Sequence, residues 1–322
     1  MSCEFEKIRP YLANPAQVCY ARLSRLEEGS GYGQRLVDVN NGTGLAFTVT
    51  PDRGMNIVEC SFNGVPVAFR APGGHRNVTA NWQKDWSAGL LTTCGLRNIG
   101  SPSGTQCQHG QISFESAEQL GTSCKNGDIE ITGQLTEGAL FDANLTQFRT
   151  IRAAYGSNKI EICDVITNNS EFPEFTEILY HFNLAYPLVS PDMEFDVPEH
   201  TVEARDEAAA AAIADWNKYP VPQENFHEYC YRHILPAGKD GFATMRLKNP
   251  KAGIALSISY DTAVLPLIVE WKKPSKNSYV LGLEPTNGSL NGCEYDKQNH
   301  YGRVIAPGES VTFRVVLEFE KC

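Results

Sequence analysis

Apolar and polar positions alternate with a short period through most of the chain, which predicts strands joined by turns rather than helices. Residues 36–40 and 45–50 flank an Asn-Asn-Gly-Thr turn, and residues 55–62 and 65–69 flank Asn63-Gly64, both hairpin signals. Further strands are expected at 111–115, 128–135, 145–155 and 159–167, the last two turning at Gly156-Ser157-Asn158. Others follow at 242–247, 254–260, 267–272, 279–283 and 311–320. One segment breaks the pattern: residues 205–216, RDEAAAAAIADW, read as a helix of about three turns, ended by Pro220 and Pro222. Residues 71–88, with Gly, Pro and two tryptophans, read as a long loop of the kind that often carries function. Many short strands with one short helical insertion predict an all-β fold, a large antiparallel β-sandwich with a concave face. No linker composition and no repeat divides it. The expectation is a single domain over 1–322, with residues 1–34 as an N-terminal extension packing on it.

The stretch 177–188, EILYHFNLAYPL, is the most informative. As a strand it puts Ile178, Tyr180, Phe182, Leu184 and Tyr186 on one face, all core material, and His181 and Asn183 on the other. The two readings are a strand backing a polar cleft and a half-exposed strand whose His and Asn meet water.

Composition narrows the classes. Across 322 residues, a net charge of -10 without a basic run argues against a nucleic-acid partner. No apolar stretch approaches the roughly 20 residues that span a bilayer, so no membrane partner is expected. The N-terminus carries early acids and no apolar h-region, which does not resemble a signal peptide. The ten cysteines are scattered without a C-x-x-C pair, so they read as reduced thiols of a cytoplasmic protein. The N-x-[ST] matches at Asn41, Asn77, Asn144 and Asn287 are then chance turns.

Four stretches could carry chemistry. In TPDRGM, Asp52 and Arg53 form either a local pair in a turn or a ligand contact. In GLLTTCGLRNIGSPSGTQCQHG, five glycines let a ligand or another segment approach, and Arg97, Asn98 and His109 are its polar residues. His181 and Asn183 come third. In YVLGLEPTN, Tyr279, Leu281 and Leu283 alternate as core and send Val280, Gly282 and Glu284 to the opposite face. A carboxylate at the end of so apolar a strand has its pKa raised unless it is paired, which suits proton transfer near neutrality. Hydroxyl-rich ligands also need aromatic faces, which Trp82, Trp86 and Trp271 could supply. No G-x-S-x-G, phosphate loop or H-E-x-x-H occurs, and nothing in the spacing of His109, His181 and Glu284 requires a metal. No cofactor is expected.

DRGM, GLLTTCGLRNIG followed by HG, LYHFNLAYPL, EWKK and GLEPTN resemble, in that order, the aldose 1-epimerase (galactose mutarotase-like) superfamily, from about residue 35 to the C-terminus. They are nearest to an uncharacterised epimerase-like branch. The resemblance implies a galactose mutarotase-like supersandwich with a sugar on its concave sheet. It implies a glutamate taking the proton of the anomeric hydroxyl while a histidine protonates the ring oxygen, so that the ring opens and recloses on the other face. Carried over by motif, Glu284 is the base, His181 the acid and His109 a hydrogen-bonding helper, with Glu284's charge keeping His181 protonated. Arg53, Asn98, Asn183 and Trp271 would be supporting binders. The chain also departs from the familiar mutarotases: no asparagine precedes His109-Gly110 at the usual spacing, and their sugar-binding aspartate has no placeable counterpart. A modified or acidic sugar, with Arg53 or Arg97 as its carboxylate partner, is therefore an expectation.

The resulting expectation is an epimerase (mutarotase) acting on a small-molecule carbohydrate, with His181 facing Glu284 across a sugar-sized gap. A non-catalytic sugar-binding protein and a sugar isomerase on the same scaffold are the alternatives. Whether the chain forms a homodimer is left open.

Overall fold

The computed structural model describes residues 3–79 and 81–322. Among them, two antiparallel sheets face each other. The larger orders Tyr20–Arg25, Arg35–Asn40, Leu45–Thr50, Asn56–Phe62, Leu91–Leu96, Glu174–Leu184, Ser278–Thr286, Leu267–Ser275, Tyr229–Ile234 and Thr201–Ala204 side by side. The smaller runs Glu194–Phe195, Phe242–Asn249, Ile254–Asp261, Ser310–Glu320, Lys159–Asn168, Asn144–Ala154, Asp128–Gly138 and Glu118–Lys125. One buried apolar cluster fills the space between, with Phe62 stacked on Phe319 across it.

The two sheets differ in a way that locates the site. In the smaller sheet, Asp128–Gly138 and Ser310–Glu320 alternate buried and exposed, as strands with one face in water do. In the larger, Glu174–Leu184 and Ser278–Thr286 are buried on nearly every residue. Their inner faces meet the core, and their outer faces lie under connecting segments.

Several expected elements differ. Residues 111–115 contain a 3-10 turn, Ile112–Phe114, with single backbone bonds at either end instead of a ladder: Glu115 O accepts from Gly54 N and Gln111 N donates to Gly95 O. The expected three-turn helix is one α-helical turn, Glu207–Ala211, followed by a 3-10 turn, Ile213–Asp215. Asp206 caps its start, and the Lys272 ammonium takes the carbonyls of Asp215, Trp216 and Lys218, drawing the end of the segment out of helical pairing. The strand containing His181 ends at Leu184, so Tyr186 is not core but 71% exposed. Pro187, three residues past the strand's end, cannot donate to a ladder. The 71–88 segment contains a short helix, Trp82–Asp85, capped by Asn81; Ala80 lies outside the described residues.

The N-terminal segment contributes the helix Cys3–Ile8, whose Phe5 is buried, and the edge strand Tyr20–Arg25. No helix among the described residues is long and apolar enough to cross a membrane.

Candidate active site

The register of the larger sheet builds the site. Glu174–Leu184 and Ser278–Thr286 pair so that Phe182 opposes Leu283 and Asn183 opposes Gly282, which sets His181 directly against Glu284. Directly opposed residues have Cβ atoms about 5 Å apart and share a face. The result is contact: His181 Nε2 lies 3.0 Å from Glu284 Oε1. The expected sugar-sized gap between them is therefore absent, because adjacent strands leave no such width. Both side chains point to the same side, away from the core.

Local chemistry holds this pair in place. The Asn183 amide donates to the carbonyls of His181 and Gly89, tying the Glu174–Leu184 strand to the start of the glycine-rich stretch. Gly282 lies beside Glu284 on the same face, and a methyl group there would overlap Glu284 Oε1 and crowd Trp271 and His181. The glycine leaves room for the carboxyl group.

His109 completes the cluster from above. Its backbone is left-handed, with φ of 61°, which is uncommon without glycine and marks a held position. Its carbonyl accepts from Gly95 N, its own N–H donates to Gly100 O, and its ring Nδ1 accepts from Gly100 N at 3.3 Å. An accepting Nδ1 leaves the ring proton on Nε2. Around the two histidines stand three tryptophans: Trp86 edge-on to His181 with centroids 5.0 Å apart, Trp271 at 5.4 Å from His181, and Trp82 stacked on His109 at 5.2 Å. The His109 and His181 rings are themselves 5.9 Å apart.

Burial dominates the electrostatics. His181 is 5% and Glu284 2% exposed. Desolvation pushes the Glu284 carboxyl well above the usual carboxylate range, and the nearby Glu228 charge adds to it. Desolvation, then the proximity of His109, pushes His181 well below the usual histidine range. Burial also takes His109 down to about 4. The expectation that Glu284's charge keeps His181 protonated meets the opposite electrostatics: burial favours the neutral form of each group. Glu284 Oε1 and His181 Nδ1 have no hydrogen-bond partner among the described residues. No group of three or more His, Cys, Asp or Glu among the described residues is arranged to hold a metal.

The other residues singled out in the sequence sit as follows. Trp271 flanks His181, and its indole N–H donates to Glu228 Oε2 at 2.9 Å. Arg53 is buried and donates to the carbonyls of Arg76 and Asp85, pinning the segment that carries Trp82 and Trp86. Asn98 bridges the carbonyls of Ser101 and Cys107 and accepts from Cys293 N, which shapes the loop leading to His109. Arg97 is bound at both nitrogens of its fork to Asp142, at 2.9 and 3.0 Å. Asp52 pairs with Arg35, not with Arg53. The glycines of 89–110 admit backbone: a Cβ on Gly95 would meet Glu177 O, and one on Gly110 would meet Gly95 O.

Glu228 and Arg205, which pair at 3.1 Å, escaped the sequence reading. The signal available was the alternating run Tyr229–Ile234, YCYRHI, a strand whose Cys230 and Arg232 share a face with Trp271.

A family model described as "Domain of unknown function (DUF4432)" matches residues 31–319. The chain belongs to this family. No curated protein matches its sequence. Solved structures place the DUF4432 chain in the galactose mutarotase-like β-sandwich fold. A Klebsiella pneumoniae protein named as a candidate aldose 1-epimerase superposes with TM-score 0.86 at 22% identity, over 93% of this chain and 83% of that one. A galactose mutarotase-like protein from Clostridium acetobutylicum gives 0.68 at 10% identity, over 95% and 100%. A galactose 1-epimerase from Lactobacillus acidophilus gives 0.63 at 12% identity, over 94% and 99%. The two sheets and the burial of the site strands on both faces are thus features of a DUF4432 member on a mutarotase scaffold.

Proposed function

We infer that this chain is a carbohydrate-active epimerase (mutarotase) that interconverts the anomers of an aldose or a modified sugar by acid–base ring opening. The observation that carries this reading is the His181–Glu284 pair: two proton-transfer groups 3.0 Å apart, buried, each with an unpartnered polar atom, among tryptophan rings. The fold shared with epimerases supports it.

The close spacing suits the substrate. The anomeric hydroxyl and the ring oxygen are both bonded to C1, so two neighbouring groups on one side of the sugar can reach both. With the carboxyl protonated, Glu284 gives its proton to the ring oxygen as the C1–O5 bond breaks. His181 takes the hydroxyl proton as C1 becomes an aldehyde. After rotation about C1–C2, ring closure reverses both transfers and restores the pair. This direction is opposite to the one the resemblance gives, and it follows from burial favouring the neutral form of each group. His109, neutral and donating through Nε2, is placed by this reading on the ring oxygen. Trp271 supplies a face for the sugar, and Asn183, Asn98 and Arg53 hold the site's framework. The nine cysteines described are free, which fits a cytoplasmic setting.

The test is saturation-transfer NMR of anomeric exchange across a panel of aldoses, comparing the native chain with Glu284→Gln. Acceleration lost in the variant supports the reading. Sugar binding without acceleration overturns it in favour of a non-catalytic binder, a reading favoured by Trp86 packing edge-on against His181. Deuterium uptake at C2 would instead identify an isomerase.

A further inference from the structure

A cavity of about 460 Å³ lies on the same side of the larger sheet as the candidate site. Its place follows from the register. Arg232 opposes Val269, and Val269 opposes Glu284, so the three occupy one row on one face. Two strand spacings put the Arg232 and Glu284 backbones roughly 10 Å apart. A shared apolar floor that includes Cys230, Leu267 and Val269 joins the two places, with Trp86, Trp271 and Tyr301 packed on it.

Arg232 differs from three other arginines of the chain. Arg53, Arg97 and Arg149 each make close hydrogen bonds through two or more of their nitrogens. Among the described residues, Arg232 has a long contact from Nη1 to the Tyr301 hydroxyl, 3.4 Å, and a 4.0 Å approach of Glu203 to Nε. That Nε is buried and, like the Arg53 Nε, has no hydrogen-bond partner among the described residues; unlike Arg53, Arg232 lacks close bonds at its terminal nitrogens. His300 and Arg303 line the same cavity, against the single carboxylate of Glu203. A guanidinium is costly to leave half-paired at such a place, and its fork matches a carboxylate or a phosphate.

We propose that the Arg232 cavity is the subsite for an oxyanion on the sugar, so that the substrate is an anionic aldose bearing a carboxylate or phosphate at the end remote from C1. This rests on the epimerase reading for the placement of C1 at His181–Glu284. The expected partners Arg53 and Arg97 are already committed to backbone carbonyls and to Asp142, which leaves Arg232 to meet the charge. Glu203 is the competing anion that a substrate displaces.

Calorimetric titration separates this from the epimerase reading, because it needs no turnover. The probes are D-glucose and D-galactose, their uronates, their 6-phosphates, and inorganic phosphate. The native chain is expected to bind one anionic class on the order of 10- to 100-fold more tightly than the neutral parent. Arg232→Ala should bring that ratio to about one, and Arg232→Lys should leave it intermediate. Glu203→Gln should raise it, a gain that a misfolded variant cannot produce. The uronate and 6-phosphate arms decide which oxyanion is read. Equal affinity for neutral and anionic sugars, a ratio unchanged in Arg232→Ala, or binding of inorganic phosphate alone would overturn the proposal. Anomeric exchange without anionic preference would leave the epimerase reading standing and remove this one.

Discussion

Tyr180 and His181 are neighbours on one strand and face opposite sides of it, and the polar groups they meet are treated in opposite ways. On the core side, Arg149 holds Asp164 through two hydrogen bonds, at 2.8 and 2.6 Å. It also donates to Gly54 O, and the Tyr180 hydroxyl closes the set on Asp164 at 2.7 Å. On the outer side, His181 and Glu284 are just as buried, yet each keeps an unpartnered polar atom. A buried ionic set that is fully hydrogen-bonded stabilises its surroundings and has nothing left to offer a ligand. A buried pair with unpartnered atoms carries an uncompensated desolvation cost and keeps polar atoms that a ligand can meet. Burial of titratable groups therefore does not mark a site by itself. The pair is set apart from the Arg149–Asp164 set by its unfinished hydrogen bonding among the tryptophan rings.

The sharpest way to break this comparison is to remove one carboxylate from each side. Glu284→Gln should lower anomeric exchange by about 10²- to 10⁴-fold, measured by saturation-transfer NMR, while the urea midpoint stays at or above the native value. Asp164→Ala should do the reverse, costing about 3–5 kcal/mol in urea unfolding because Arg149 is left buried and unpaired. A large stability loss in Glu284→Gln would mean that the two sides do not differ as described. Next in size, Gly282→Ala forces Glu284 aside, and a displacement near 1 Å should lower exchange by about 10²-fold with little change in melting. A normal rate in this variant would show that Glu284's position is not set by the missing side chain.

Two smaller effects concern pH. His109 acts neutral and its pKa lies at about 4, so the exchange rate should stay flat through the ordinary histidine range and fall only near that value. An acid limb near 6.5 would mean an exposed histidine carries the reaction. Glu177 offers the structural counterpart: burial, then its contact with Asp296, raises its pKa from 4.5 to about 10. The folded chain holds that proton while the unfolded chain releases it, so this group's stability contribution is present below 4.5 and declines between there and about 10. Glu177→Gln should flatten the melting temperature across that range, read by calorimetry at several pH values.

Much of this was legible in the chain itself. The alternation in EILYHFNL placed Tyr180 and His181 on opposite faces, and YVLGLEPT placed Glu284 with Gly282 away from the core. The fold class followed from the same period. What alternation does not carry is register. It could not say that the two strands are adjacent, and so a gap was expected where the sheet makes a contact. Edge strands such as Tyr20–Arg25 and Glu118–Lys125 were missed because neither face is well buried, so no apolar period is imposed. Leu91–Leu96 was missed for the opposite reason, being buried on every residue and interrupted by Gly95. The roles of Arg53 and Arg97 depend on carbonyls and a carboxylate from distant segments, which no local spacing encodes.

The tryptophan arrangement has an optical consequence. The chain has four tryptophans. Trp82, Trp86 and Trp271 ring the two site histidines, while Trp216 packs against His200 and His233. Most of the intrinsic emission of this protein thus originates within a few ångströms of the proposed chemistry. On the proposed reading, a sugar reaching His181 disturbs the Trp86–His181 contact, so the native fluorescence would report occupancy without a label.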